Sequence, residues 1–232
     1  MNIEKSKIFT RSCLQIINKK KKMIWFTSDL HLFHNHEDIY KPRGFCSIEE
    51  MNDEIERLWN DTVGDNDEVY VLGDLMVCGK GGNNEDGMEI LRRLKGIKHI
   101  ILGNHDTLAR IELYKHEESI VDVQYATMIR YQERSIYLSH YPTYTSNLER
   151  GKPKQWIINF FGHTHSKERF FNNIPFMYNV ALDAHNNRPV SIDEALEEIK
   201  KMYGRHDLQK KAQDIHNRFI ESFDKDSDRT IW

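Results

Sequence analysis

Five times along the chain a short apolar run, about the length of one strand, ends in a carboxylate, a carboxamide or an imidazole. Residues 23–28 lead to Asp29 and His31, 68–72 to Gly73 and Asp74, and 97–102 to Gly103, Asn104 and His105. Residues 135–139 lead to His140, and 157–161 to Gly162-His163-Thr164-His165. Apolar runs of about 4–8 residues bounded by turn formers read as buried strands. In α/β folds the carboxyl ends of such strands are where sites are built, so the pattern constrains the chain to sheets that share one polar edge. Scattered surface polarity would not recur at every strand end.

Gly162-His163-Thr164-His165 is the densest of these ends. In an extended backbone, positions i and i+2 point to the same side, so both imidazoles can reach one cavity and grip neighbouring metal ions. A polar turn with exposed histidines is the competing account. Asp29-Leu30-His31 repeats the spacing with a carboxylate and an imidazole. His34 and His36 follow, and His34 reads as supporting a ligand or facing substrate, against solvated loop histidines. Arg43, in a Lys-Pro-Arg-Gly turn, could reach a phosphate as a two-pronged donor, or be a surface arginine.

Between the strand ends, Ser47 and Glu50 form a capping box, with Ile48, Met51, Ile55, Leu58 and Trp59 recurring at helical spacing behind it. Strand, helix, strand from 23 to 72 therefore predicts a crossover unit. The glycines at 79, 81, 82 and 87 match no phosphate-loop pattern and read as a mobile loop. Met88, Leu91 and Leu94 resume a helix, and residues 176–182 make a further strand leading to Asp183. Few helices separate the later strands, which predicts a more antiparallel second sheet packed on the first. A second capping box, Ser191 to Glu194, opens a helix through Ala195, Ile199 and Met202. An amphipathic helix through Leu208, Ala212, Ile215, Phe219 and Phe223 is expected to pack against the domain. The domain is expected over 23–232, its C-terminal helices over about 191–225. Residues 1–22, ending in four lysines, read as a flexible basic extension and not a secretion signal.

With 33 basic against 36 acidic residues and a formal charge of -3, no dominating nucleic-acid or membrane field is expected. No apolar run approaches the roughly 20 residues of a spanning helix. Three widely spaced cysteines form neither a disulfide framework nor a thiolate zinc site, which fits a reducing cytoplasm.

Taken together, D-x-H, G-D, G-N-H-D, H and G-H-x-H resemble the calcineurin-like metallophosphoesterase superfamily across about 25–165. Residues 49–74 and 179–191 are further similar to its small bacterial and phage members. The resemblance implies an α/β fold, a four-layer αββα sandwich of two mixed sheets, with two metal ions at one edge. Asp29, His31 and His165 would hold the first ion, Asn104, His140 and His163 the second, and Asp74 would bridge them. His105 would be the general acid, with Asp106 orienting it or capping a helix. Ligands of mixed oxygen and nitrogen without thiolate suit two divalent transition metals, manganese first, then iron, zinc or nickel. The implied reaction is attack of a hydroxide activated by both metals on a phosphate mono- or diester, nucleotides included. Neither a stable nucleic-acid partner nor a membrane is expected, and the oligomeric state stays open. The competing class is a non-catalytic scaffold on the same fold. Specificity is expected from the loops at 34–43, 79–87 and 141–154.

Overall fold

The computed structural model describes residues 22–79, 83–145, 156–204 and Asn217. The basic extension up to residue 21, Gly81 and Gly82, loop residues 146–154 and, apart from Asn217, the helix read over 208–223 lie outside the described residues. In chain order the elements are β1 (Ile24–Thr27), α1 (Glu37–Tyr40), α2 (Ile48–Thr62), β2 (Glu68–Leu72), α3 (Asn84–Arg93) and β3 (Ile97–Ile101). There follow α4 (Leu108–Lys115), β4 (Ile120–Gln124), β5 (Ala126–Tyr131), β6 (Arg134–Ser139), β7 (Ile157–Phe161), β8 (Met177–Asn179), β9 (Val190–Ser191) and α5 (Ile192–Tyr203).

The capping boxes do what their chemistry requires. Ser47 Oγ accepts from the Glu50 amide at 3.2 Å, while the Glu50 carboxylate reaches back to the Cys46 amide at 2.6 Å. Ser191 Oγ caps α5 through the Glu194 amide at 3.2 Å. Behind the first cap, Ile48, Met51, Ile55 and Trp59 form the buried stripe of α2.

Two sheets result. One has the order β4-β3-β2-β1-β9 and the other β5-β6-β7-β8. Strands β1 to β4 pair in parallel and β9 closes that sheet antiparallel to β1. Residues of α2 and α3 join the buried cluster on one side of the first sheet, around Trp59, Met51, Val69 and Ile100. On its other side Phe26, Leu72 and Ile101 meet Ile136, Ile158 and Phe160 of the second sheet, and the rings of Phe26 and Phe160 sit edge to face at 4.8 Å. Helix α5 adds Ile192, Ala195 and Ile199 to that cluster and bonds to the second sheet through Tyr178 Oη to Glu198 at 2.6 Å. The expected sandwich of helices and two mixed sheets is therefore the observed architecture.

The second sheet is not as antiparallel as expected. Only β5–β6 is antiparallel, whereas β6–β7 and β7–β8 are parallel. A parallel pair needs a crossover of a dozen or more residues, commonly but not necessarily helical. Here the long connections 140–156 and 162–176 provide it. Strands β4 and β5 were not anticipated, because their sequences carry no strong stripe: Val121 and Met128 are exposed. No helix among the described residues is long and apolar enough to cross a membrane.

Candidate metal centre

The chain delivers its polar groups to the sheet edge by leaving the extended conformation. Asp29, His31, Asp74, His163 and His165 all have φ between 46° and 69°. Non-glycine residues enter this left-handed region rarely and at a cost, and such residues cluster at functional sites. The same-side geometry expected from an extended strand is thus replaced by alternating left-handed kinks. Beyond β1 the kinked chain stays tied to the end of β2, with Asp29 N donating to Gly73 O and His31 N to Asp74 O, both at 3.0 Å.

Two glycines of the motifs are there for space. A methyl group on Gly162 would overlap Ser28 Oγ and Asp29 Oδ2, and one on Gly103 would overlap Asp74 Oδ1. The backbones before Asn104 and His163 are thereby allowed to press against the carboxylates.

One cluster joins Asp29, His31 and His165. Asp29 Oδ1 lies 3.8 Å from both His31 Nε2 and His165 Nε2. Asp29 Oδ1 and His31 Nε2 are buried and have no hydrogen-bond partner among the described residues. A separation of 3.8 Å is too long for a hydrogen bond, and leaving buried polar atoms unpaired is costly. Ligands at about 2.1 Å from a shared ion stand roughly 3–3.5 Å apart, so a cation between them would satisfy all three. The donor set therefore fits a metal.

The second cluster carries the same signature. His140 Nδ1 lies 2.8 Å from the carbonyl of Leu72, to which it must donate. The neutral ring then turns the lone pair of Nε2 towards Asn104 Oδ1 at 2.9 Å and Asp74 Oδ2 at 3.4 Å. Acceptors facing acceptors call for a proton or a cation. His163 Nδ1 joins them, 2.9 Å from Asn104 Oδ1 and 3.2 Å from His140 Nε2. Asp74 Oδ2 is also 3.7 Å from His31 Nε2, so this one oxygen faces both clusters. Asp29 belongs to both sets of converging ligand atoms as well, one with His31 and His165, the other with Asp74 and His140.

The pKa directions follow from this crowding. Burial alone would raise the carboxyl of Asp74, but the facing His140 and the amide of His105 hold it down at about 2. Burial likewise opposes ionisation of Asp29, and the surrounding histidines outweigh it and lower its pKa. His31 and His163 are lowered, chiefly by burial. In His140 burial acts downward, but Asp74 and Asp29 more than offset it and the net shift is upward.

Around the clusters, His34 Nδ1 sits 2.9 Å from His31 Nδ1, so it supports His31 from behind, one of the roles open to it in the sequence. Burial and the neighbouring His31 and His105 lower its pKa to about 4. The His105 ring is half-buried, 5.3 Å from that of His31, and has no hydrogen bond among the described residues. Its main-chain amide donates to Asp74 Oδ1 at 2.8 Å.

Two expectations need correction. Asp106 neither orients the His105 side chain nor caps α4, whose N-cap is Thr107. Its carboxylate turns inward, accepting from the amides of Gly103 at 2.8 Å and Asp74 at 3.0 Å and from Tyr114 Oη at 3.0 Å. It staples two ligand loops together. Arg43 does not face substrate: its side chain is 0% exposed and grips the Asp183 carboxylate at 2.8 and 3.0 Å. It also donates to the carbonyls of Asp29 at 2.7 Å and Leu30 at 3.1 Å. An internal carboxylate consumed the guanidinium before any phosphate could.

That carboxylate, Asp183, is the residue sequence reasoning missed, although it was visible as an acid at a sixth strand end. Besides Arg43 it faces His165 Nδ1 at 3.3 Å, fixing which nitrogen His165 turns to Asp29. Burial would raise Asp183, yet His165 and Arg43 hold it well below the usual carboxylate range. Burial lowers His165, and Asp183 and Asp29 more than reverse this.

A model of the calcineurin-like phosphoesterase family matches residues 22–215. An uncharacterized protein of Methanocaldococcus jannaschii is 31% identical over 188 residues, covering 78% of this chain and 93% of that protein. The Gene 66 protein of Mycobacterium phage D29 is 29% identical over 196 residues, covering 76% and 95%. Among solved structures, a protein of unknown function from Aquifex aeolicus is similar with a TM-score of 0.57 at 23% identity, covering 78% of this chain and 100% of that one.

Proposed function

The chain belongs to the calcineurin-like phosphoesterase family, and from that premise we propose that it is a metal-dependent hydrolase of phosphate mono- or diesters working through two metal ions. One observation carries the dinuclear reading: two adjoining sets of ligand atoms, running from buried Asp29, His31, Asp74 and His140 out to exposed Asn104 and His165, converge with Asp74 Oδ2 facing both. Asp29, His31 and His165 would hold one ion and Asn104, His140 and His163 the other, with Asp74 shared. The donors are oxygen and imidazole without thiolate, which favours manganese, followed by iron, zinc or nickel. When bound, such ions acidify water and draw charge from the phosphoryl oxygens.

The remaining work falls to the chain. Asp183 and Arg43 hold His165 and the Asp29 backbone in place, His34 holds His31, and Asp106 holds the loops of Asp74 and Asn104 at a fixed spacing. His105 is left with a ring that packs beside His31 and His34 and makes no hydrogen bond among the described residues. It protonates the leaving oxygen, while its own amide steadies Asp74.

Hydrolysis of p-nitrophenyl phosphate and bis(p-nitrophenyl) phosphate with added manganese, beside a chelated control, tests the proposal. Metal-dependent turnover with two ions per chain is expected. Silence towards both esters across manganese, iron, zinc and nickel would leave a non-catalytic scaffold. A metal-bound structure with His163 and His165 on one ion would overturn the division of ligands.

A further inference from the structure

Thr164, the residue between the two histidines of the site, also lines a cavity of about 450 Å³. Pockets for small organic ligands run from about 300 to 1,000 Å³ and combine apolar walls with a few polar groups. This one has both. Phe170 and Phe171 give it aromatic surface, with Phe161 buried behind them, and Glu168, Asn172 and Asn173 give it carboxylate and amide groups.

The walls are fixed before any ligand arrives. Phe171 packs edge-on against Phe161, their rings 5.9 Å apart, and Phe170 packs against Tyr178 at 5.3 Å. Buried Asn179 donates from Nδ2 to the carbonyls of Ser166 at 3.0 Å and Glu168 at 3.1 Å, pinning the loop that leads from the histidines into the cavity. By contrast, the side chains of Thr164, Glu168, Asn172 and Asn173 have no hydrogen-bond partner among the described residues. A rigid aromatic floor with uncommitted amides at its rim is suited to a planar ring that stacks on one face and hydrogen-bonds along its edge. A bare sugar phosphate would leave the phenylalanines uncovered, and a purely apolar leaving group would strand the amides.

We infer that this cavity is a nucleobase subsite, so that the esters hydrolysed at the adjoining centre are nucleotides whose base lodges against the phenylalanines and whose ring edge meets the two asparagines and Glu168. The inference rests on the phosphoesterase reading above, but binding of the base does not require the metals.

Two measurements separate the two claims. In the first, the chelated full-length protein is mixed with thymidine or with 2-deoxyribose and studied by saturation-transfer NMR. Transfer to the thymine protons is expected, and no comparable transfer to deoxyribose. In the second, the manganese-loaded protein hydrolyses thymidine 5′-(p-nitrophenyl phosphate) and methyl p-nitrophenyl phosphate. A KM about tenfold lower for the thymidine ester is expected, the scale of one stacked base. Asn172 and Asn173 have φ of 49° and 58°, so Asn172→Gly with Asn173→Gly removes both amides and keeps the left-handed backbone. That double variant, and separately Glu168→Gln at an exposed position, should shrink the preference and the transfer. Absence of transfer to the base in the wild type overturns the subsite, as does full transfer in both variants. Base transfer that the variants weaken, together with silence towards every ester, would support the subsite and sink the phosphoesterase reading alone.

Discussion

Arg43→Met tests whether the buried guanidinium is a clamp or a substrate contact. Methionine keeps most of the aliphatic stem and deletes the charge. What is lost is two hydrogen bonds to Asp183, at 2.8 and 3.0 Å, and those to the carbonyls of Asp29 and Leu30. Asp183 is only 7% exposed, so its carboxylate would remain buried with His165 as its one charged partner. Breaking a buried pair from one side costs about 3–5 kcal/mol, because the surviving charge cannot be rehydrated. For a chain of this size each kcal/mol lowers Tm by about 2–4 °C, so a fall of roughly 6–20 °C is expected in chelator. Circular dichroism melts measure it. Arg43→Lys should recover little, since an ammonium cannot reproduce the two-pronged contact together with both carbonyl bonds. A melting point within about 2 °C of wild type, joined to a large rise in KM for a phosphate ester, would refute the clamp.

The other substitutions address the site and its surroundings. Asp74→Asn should abolish metal-dependent turnover and reduce metal content measured by plasma emission, because the one oxygen facing both clusters loses its charge. His105→Ala should keep its metal and slow turnover by roughly 10²–10⁴, the usual share of a general acid, and loss of bound metal would contradict that role. His185 is 2% exposed, donates to the Asn179 carbonyl at 2.8 Å and has a pKa lowered to about 4 by burial. A histidine depressed in the folded state contributes stability that is present above its ordinary value near 6.5 and lost as pH falls towards 4. Urea titrations of the chelated protein should thus show about 2 kcal/mol less stability at pH 5 than at pH 7 from this group, and His185→Gln should remove that part of the slope.

Much of the site could be read in the sequence, because ligand chemistry depends on residue type and strand ends are marked by a change from apolar to polar. Asp29, His31, Asp74, Asn104, His140, His163 and His165 converge as a set. What could not be read is direction. Arg43 and Asp183 are 140 positions apart, and no local pattern says that an arginine in a turn will point inward to meet an acid after a distant strand. Asp106 looked like a partner for the histidine beside it, and its real partners, Tyr114 and the amide of Asp74, depend on how the loops stack. Sheet polarity failed for a related reason: the segments between β6, β7 and β8 carry no helical period in the sequence, so the three looked like consecutive antiparallel strands.

The backbone of the ligands was misjudged too, and the difference can be tested by the order of two variants. His163 has φ of 69°, where an L residue is roughly 1–2 kcal/mol worse off than in the right-handed region and glycine is not. His163→Ala and His163→Gly delete the same imidazole, with its contacts to Asn104 and His140. Their difference in stability therefore isolates the backbone. In an extended strand alanine would be the more stable, by about 0.5–1 kcal/mol, because glycine has more freedom to lose. In the left-handed kink the order reverses, since relief of strain exceeds that entropy, and glycine should lead by up to about 1 kcal/mol in chelator. Alanine leading would return the Gly162-His163-Thr164-His165 segment to an extended conformation. It would also remove the reason for regarding its histidines as held in strained positions before any metal binds.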